Sequence, residues 1–88
     1  MSKQIFEKAI EKWGVNSQLD MVIEECSELI QAICKLKRIK ENSLDNLMEE
    51  VADVEIMLTQ LRIIIGNDKL IDFIKSEKIK RLEVRISG

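Results

Sequence analysis

Apolar residues recur every three or four positions along most of the chain, the spacing of one helix face. Ile5, Phe6, Ala9, Ile10 and Trp13 predict a first helix from about Lys3 to Lys12, with Gly14 as its stop. Asn16 or Ser17 is placed to cap a second helix. Its stripe is Leu19, Val22, Ile23, Cys26, Leu29, Ile30 and Ile33, and it ends near Lys40. Lys35, Lys37, Arg38 and Lys40 crowd that end, where they suit the helix dipole. Asn42 and Ser43 restart the chain, and a third helix is expected from about Leu44 to Ile65. Gly66-Asn67-Asp68 closes it and caps a fourth, from about Lys69 to Ile86. The expected fold class is therefore all-α: four helices in a bundle-like single domain over residues 1–88.

The third helix carries more apolar surface than such a bundle can hide. Leu47, Val51, Val54, Leu58, Leu61 and Ile65 form its main stripe. Met48, Ala52, Ile56 and Ile63 lie on adjoining angles, and Met57 and Ile64 on another. A helix that is apolar nearly all round is contacted from several sides. An 88-residue chain is too short to cover it alone, so the fold is expected to be completed by homo-oligomerisation, as a dimer or a tetramer.

Composition narrows the class further. Charged residues make up 34% of the chain, yet the net charge is only -2, which argues against a duplex nucleic-acid binder. The first residues are charged and lack a continuous apolar run, so no signal peptide is expected. Arg62 interrupts the longest apolar stretch, so no membrane association is expected and a cytoplasmic location is. Cys26 and Cys34 stand eight residues apart, roughly 12 Å along one helix, too far for a disulfide. Both are expected to serve as small core residues.

A repeat crosses this pattern. Leu19-Asp20-Met21-Val22-Ile23-Glu24-Glu25-Cys26-Ser27-Glu28 is echoed by Leu44-Asp45-Asn46-Leu47-Met48-Glu49-Glu50-Val51-Ala52-Asp53. Each copy ends in two carboxylates three residues apart, Glu25 with Glu28 and Glu50 with Asp53, which share a helix face. At 100° per residue both pairs flank the apolar stripe at the same angles. Met57 and Ile64 share that sector in the third helix, Met21 and Ala32 in the second. Acids in a partly apolar sector are expected to face inward, toward the helix interface. Glu24 and Glu49 fall at more exposed angles, and Asp20 and Asp45 suit the helix starts.

Four carboxylates gathered in a small volume repel one another unless a cation neutralises them. The chain has no histidine, which excludes His-based zinc sites and the Glu-x-x-His motif of di-iron bundles. An all-carboxylate set suits Mg²⁺, with Mn²⁺ as the alternative. Mg²⁺ sites are commonly completed by substrate phosphates, which points to attack by activated water on a phosphate centre.

Glu24-Glu25-x-x-Glu28 followed by Glu50-x-x-Asp53 resembles the signature of the MazG-like all-α nucleoside triphosphate pyrophosphohydrolases. The resemblance spans about Trp13 through Arg81. It implies that fold and hydrolysis of an NTP or dNTP between its α- and β-phosphates, to a nucleoside monophosphate and pyrophosphate. Carried over by position, Glu25, Glu28, Glu50 and Asp53 would bind Mg²⁺, with Glu24 as an auxiliary catalytic acid. Lys78 and Arg81 match the family's Lys-x-x-Arg on the last helix and would bind substrate phosphates. The resemblance also places Trp13 and Gln18, on the loop into the first motif, near the nucleobase. A tryptophan there can stack on a base or pack the core, and packing is the expected role.

Two other classes fit parts of this pattern. A non-catalytic oligomerisation module would explain the helices and the exposed Glu24 and Glu49. A bundle that stores or senses metal would explain the acids without any turnover.

Overall fold

The computed structural model of the chain describes residues 2–39 and 43–88. Four helices follow one another: α1 (Ser2–Trp13), α2 (Val15–Ile39), α3 (Leu44–Ile65) and α4 (Asp68–Ser87). The expected all-α class and the four-helix order are present.

Local chemistry explains the breaks. Gly14 lies at φ 89° and Gly66 at φ 77°, the left-handed region that glycine enters without a side-chain penalty. The Gly66 N–H donates to the Arg62 carbonyl, closing α3. The start of α2 differs from expectation. The helix resumes at Val15, directly after the glycine, and the Gln18 N–H donates to the Gly14 carbonyl at 3.1 Å. Asn16 and Ser17 therefore lie in its first turn rather than at its cap, and Gln18 is helical rather than on a loop. A left-handed residue reverses the chain in one step, so no separate capping residue is required. Ser43 and Asn67 stand at the N-caps of α3 and α4, but neither side chain makes a cap bond. Lys40 and Asn42 lie outside the described residues.

The α2 and α3 helices form the main packed unit, joined by a short connection, as in an antiparallel helical hairpin. The inward seam of α3 contains the buried Val54, Met57 and Gln60. Opposite it, α2 contributes Gln18 and Ala32, both buried, with Val22, Glu25, Cys26 and Leu29 half-buried between them. The α1 helix packs across both. Cys34 is exposed, against the expectation that both cysteines are core residues, because it lies off that seam.

The expected main stripe of α3 divides in two. Val54 is buried and Leu47 and Leu61 are half-buried, but Val51, Leu58 and Ile65 are exposed. With Leu44, also exposed, these three recur every seven residues along a second, uncovered seam.

The α4 helix packs on α3 alone. Arg62 pins its start, donating to Asp68 at 2.7 Å and to Asp72 at 2.9 Å. Beyond that point Phe73, Ile74, Ile79, Leu82 and Val84 are all exposed. Accordingly the accessible surface is 7275 Å², whereas a compact monomer of this mass exposes roughly 5,300 Å². The radius of gyration is 16.0 Å, against about 12 Å for a compact domain of this length. No helix is long and apolar enough to cross a membrane among the described residues.

Candidate functional site

The hairpin brings the repeated acids together. Glu25 and Glu28, one turn apart on α2, meet Glu50 from α3, and one carboxylate oxygen of each lies within 4.8 Å of the others. The first acid of each pair, Glu25 on α2 and Glu50 on α3, lies at a matching angle and is half-buried where the two helices meet. Asp53 is exposed, yet close enough that its charge acts on both Glu25 and Glu50. Glu24 and Glu49 are exposed, as their wheel angles predicted.

The environment of the cluster is unfavourable to charge. Glu25 Oε2 and Glu50 Oε2 are buried without a hydrogen-bond partner. Desolvation pushes the Glu25 carboxyl above the ordinary carboxylate range, and the charges of Glu28, Asp53 and Glu50 push it further. Glu50 is raised in the same way, first by desolvation and then by Glu28 and Asp53. No lysine or arginine forms an ion pair with any of these acids among the described residues. Unpartnered, mutually repelling carboxylate oxygens form a hard-oxygen donor set, the chemistry on which divalent cations are commonly held.

A pH dependence follows from these shifts. A carboxyl raised in the folded state holds its proton where the unfolded chain has already lost it. The folded state then binds more protons, and stability falls as pH rises. Metal-free protein is therefore expected to lose melting temperature from about the ordinary value of 4.5 upward, through the raised values. Thermal melts in chelator across this range check the sign. A melting temperature that rises over that window would show that the acids do not repel as described.

The other expected site residues are placed differently. Lys78 and Arg81 are exposed on α4, which makes no contact with α2, so a single chain does not bring them to Glu25 and Glu28. Trp13 is 57% exposed rather than packed in the core, because it ends α1 at the rim of a cavity between α1, α2 and α3. The Lys12 ammonium lies 5.3 Å from its ring centre. Gln18 lines the same cavity and is buried.

Sequence reasoning missed Gln60. It is buried on α3 and lines that cavity with Trp13, Gln18, Met21 and Met57. The signal was present: Gln60 lies seven residues beyond Asp53, and Gln18 seven before Glu25. Seven residues are two helical turns, so each glutamine shares a face with the acids of its own helix.

No family model, no curated protein and no solved structure matches the chain.

Proposed function

We propose that the chain is a Mg²⁺-dependent nucleoside triphosphate pyrophosphohydrolase that opens the bridge between the α- and β-phosphates of an NTP or dNTP. One observation carries this reading. Glu25 and Glu28 from one copy of the repeat and Glu50 from the other converge on facing helices, with an oxygen of Glu25 and one of Glu50 buried and unpartnered. Acids serving only as solvated charge have no reason to turn inward in both copies.

Glu25, Glu28, Glu50 and Asp53 would hold the metal, Mg²⁺ or Mn²⁺. When bound, such an ion neutralises the phosphate chain and makes water acidic enough to attack. The acids fix where the triphosphate lies. Glu24, exposed and next to Glu25 in the chain, would take the proton from the attacking water at a carboxylate oxygen. Water adds to one phosphorus of the α–β bridge and the bridging P–O bond breaks, leaving nucleoside monophosphate and pyrophosphate as the two products. Mn²⁺ is expected to substitute for Mg²⁺, since the donors are all oxygen.

The protein works as a homo-oligomer in this reading. The excess accessible surface of roughly 2,000 Å² and the uncovered seams of α3 and α4 match what a stable homodimer buries. A second copy also gives Lys78 and Arg81 a route to the phosphates, as α4 of one chain laid across the α2–α3 hairpin of the other. There they would offset charge developing on the phosphates.

The reading is tested by incubating the protein with a panel of ribo- and deoxyribonucleoside triphosphates and Mg²⁺. Monophosphate and pyrophosphate are expected from at least one of them, with no turnover in chelator. Mg²⁺ binding without turnover of any nucleotide would replace the hydrolase with a metal-sensing bundle. Neither binding nor turnover would leave an oligomerisation module.

A further inference from the structure

Gln60 is in an unusual place for a long polar side chain. It is 4% exposed, and its Oε1 is buried with no hydrogen-bond partner. Leaving a buried carbonyl oxygen unpaired is destabilising, so such an atom marks a position that something else is built to fill. Gln18 lines the same cavity and is 5% exposed, yet it does not satisfy that oxygen. The cavity holds about 520 Å³, and the rest of its lining is largely apolar, including Phe6, Met21 and Met57, with Trp13 at the rim.

The position of this cavity decides what fits it. The α2 and α3 helices run in opposite directions, so steps back along α2 match steps forward along α3. Glu25 and Glu28 meet Glu50 at one level. Met21 and Met57 come next, and Gln18 and Gln60 beyond them. From the acids to the glutamines is two to three turns, roughly 10 Å from Glu25 to Gln18 and roughly 15 Å from Glu50 to Gln60. A ligand spanning both levels has an anionic, metal-binding end, a flat apolar body and a hydrogen-bonding edge. A nucleotide has those three parts in that order.

Resting on the hydrolase reading above, we propose that Gln60 is the base-selecting residue and accepts a hydrogen bond from an exocyclic amino group. Gln18 completes the contact, its amide N–H donating to the ring nitrogen beside that amino group. Cytosine and adenine present this donor–acceptor pair. Uracil and hypoxanthine present the reverse, and they are matched only when both amides turn over from the orientation in which the Gln60 Oε1 is buried. A site built to hydrogen-bond a substrate group discriminates strongly against the analogue that lacks it.

The test compares kcat/KM for CTP against UTP and for ATP against ITP. Wild type is expected to favour the amino base by about tenfold or more in each pair. Gln60→Leu is expected to bring both ratios near one by lowering kcat/KM for CTP and ATP more than for UTP and ITP. Gln60→Glu keeps an acceptor oxygen of similar reach and is expected to retain the preference. Trp13 is the only tryptophan, so its fluorescence supplies a reading independent of turnover. CMP should quench it at lower concentration than UMP in metal-free wild type, and Gln60→Leu should abolish the difference. Unchanged CTP/UTP and ATP/ITP ratios in an active Gln60→Leu would overturn the role of Gln60 and leave the hydrolase standing. An equal loss on all four nucleotides with a lower melting temperature would make Gln60 structural, which also overturns it. Failure of every nucleotide to turn over would remove the hydrolase itself. Equal quenching by CMP and UMP in wild type would then remove base selection as well.

Discussion

Glu50→Gln is expected to cut Mg²⁺-dependent hydrolysis by at least about a hundredfold while leaving the helical circular dichroism unchanged. Losing a residue that merely supports a metal ligand costs about 10- to 100-fold in affinity or activity, and losing a ligand costs more. Glu50 is the one acid that α3 brings within 4.8 Å of Glu25 and Glu28, so α2 alone cannot replace it. The same substitution has an opposite effect on the metal-free fold. Its carboxyl is raised by desolvation and by Glu28 and Asp53, so the neutral amide relieves repulsion that the native acid creates. In chelator the variant should melt higher than wild type, and Mg²⁺ should raise its melting temperature little. An active Glu50→Gln would show that Glu50 is not a metal ligand, and a variant that melts lower in chelator would show that the cluster is not repulsive.

Leu58→Glu should convert the protein to a monomer near 10.2 kDa in sedimentation velocity and lower its melting temperature. Leu58 is 44% exposed in the single chain, midway along the uncovered seam formed with Leu44, Val51 and Ile65. Full burial of an exposed leucine contributes about 1.5–3 kcal/mol, so covering the remaining 44% of Leu58 contributes about 1 kcal/mol, met once from each copy of a homodimer. A carboxylate there loses that gain and must be desolvated without a partner. Association should weaken by well over tenfold. Wild-type melting temperature should rise with protein concentration, because assembly and folding are linked by mass action. A wild-type chain that sediments as a monomer at micromolar concentration, with a concentration-independent melt, would remove the oligomer.

The two expectations draw on different kinds of information in the sequence. Helical periodicity assigns residues to faces, and it placed all four helices within a few residues of their ends. It also placed Glu25, Glu28 and Glu50 on faces that meet, because an equal offset fixes equal angles on two antiparallel helices. Periodicity does not say which apolar face finds a neighbour. Val54 and Leu58 belong to one stripe, yet the first is buried and the second is not. Trp13 and Cys34 were assigned to the core for the same reason, and both are exposed. A short chain has fewer covered faces than apolar stripes, so stripe membership overstates burial. Gln60 fails in the other direction. A glutamine is ordinarily an exposed residue, and only the three-dimensional path of α1 over the α2–α3 seam closes it in.

Gly14 shows a smaller difference of the same origin. Its role as a stop was legible, since glycine alone enters the left-handed region freely. That one residue would also start the next helix was not, because Asn16 and Ser17, residue types that favour caps, sit just beyond it.

In the proposed hydrolase the acid cluster directs cleavage to the α–β bridge of a nucleoside triphosphate. Phosphorus NMR of a reaction with a single turned-over nucleotide and Mg²⁺ tests it most directly, since each cleavage position gives different products. Nucleoside monophosphate and pyrophosphate appearing together, in equal amounts and only with the divalent cation, is the predicted spectrum. Nucleoside diphosphate with inorganic phosphate would contradict it, and so would a triphosphate that remains intact.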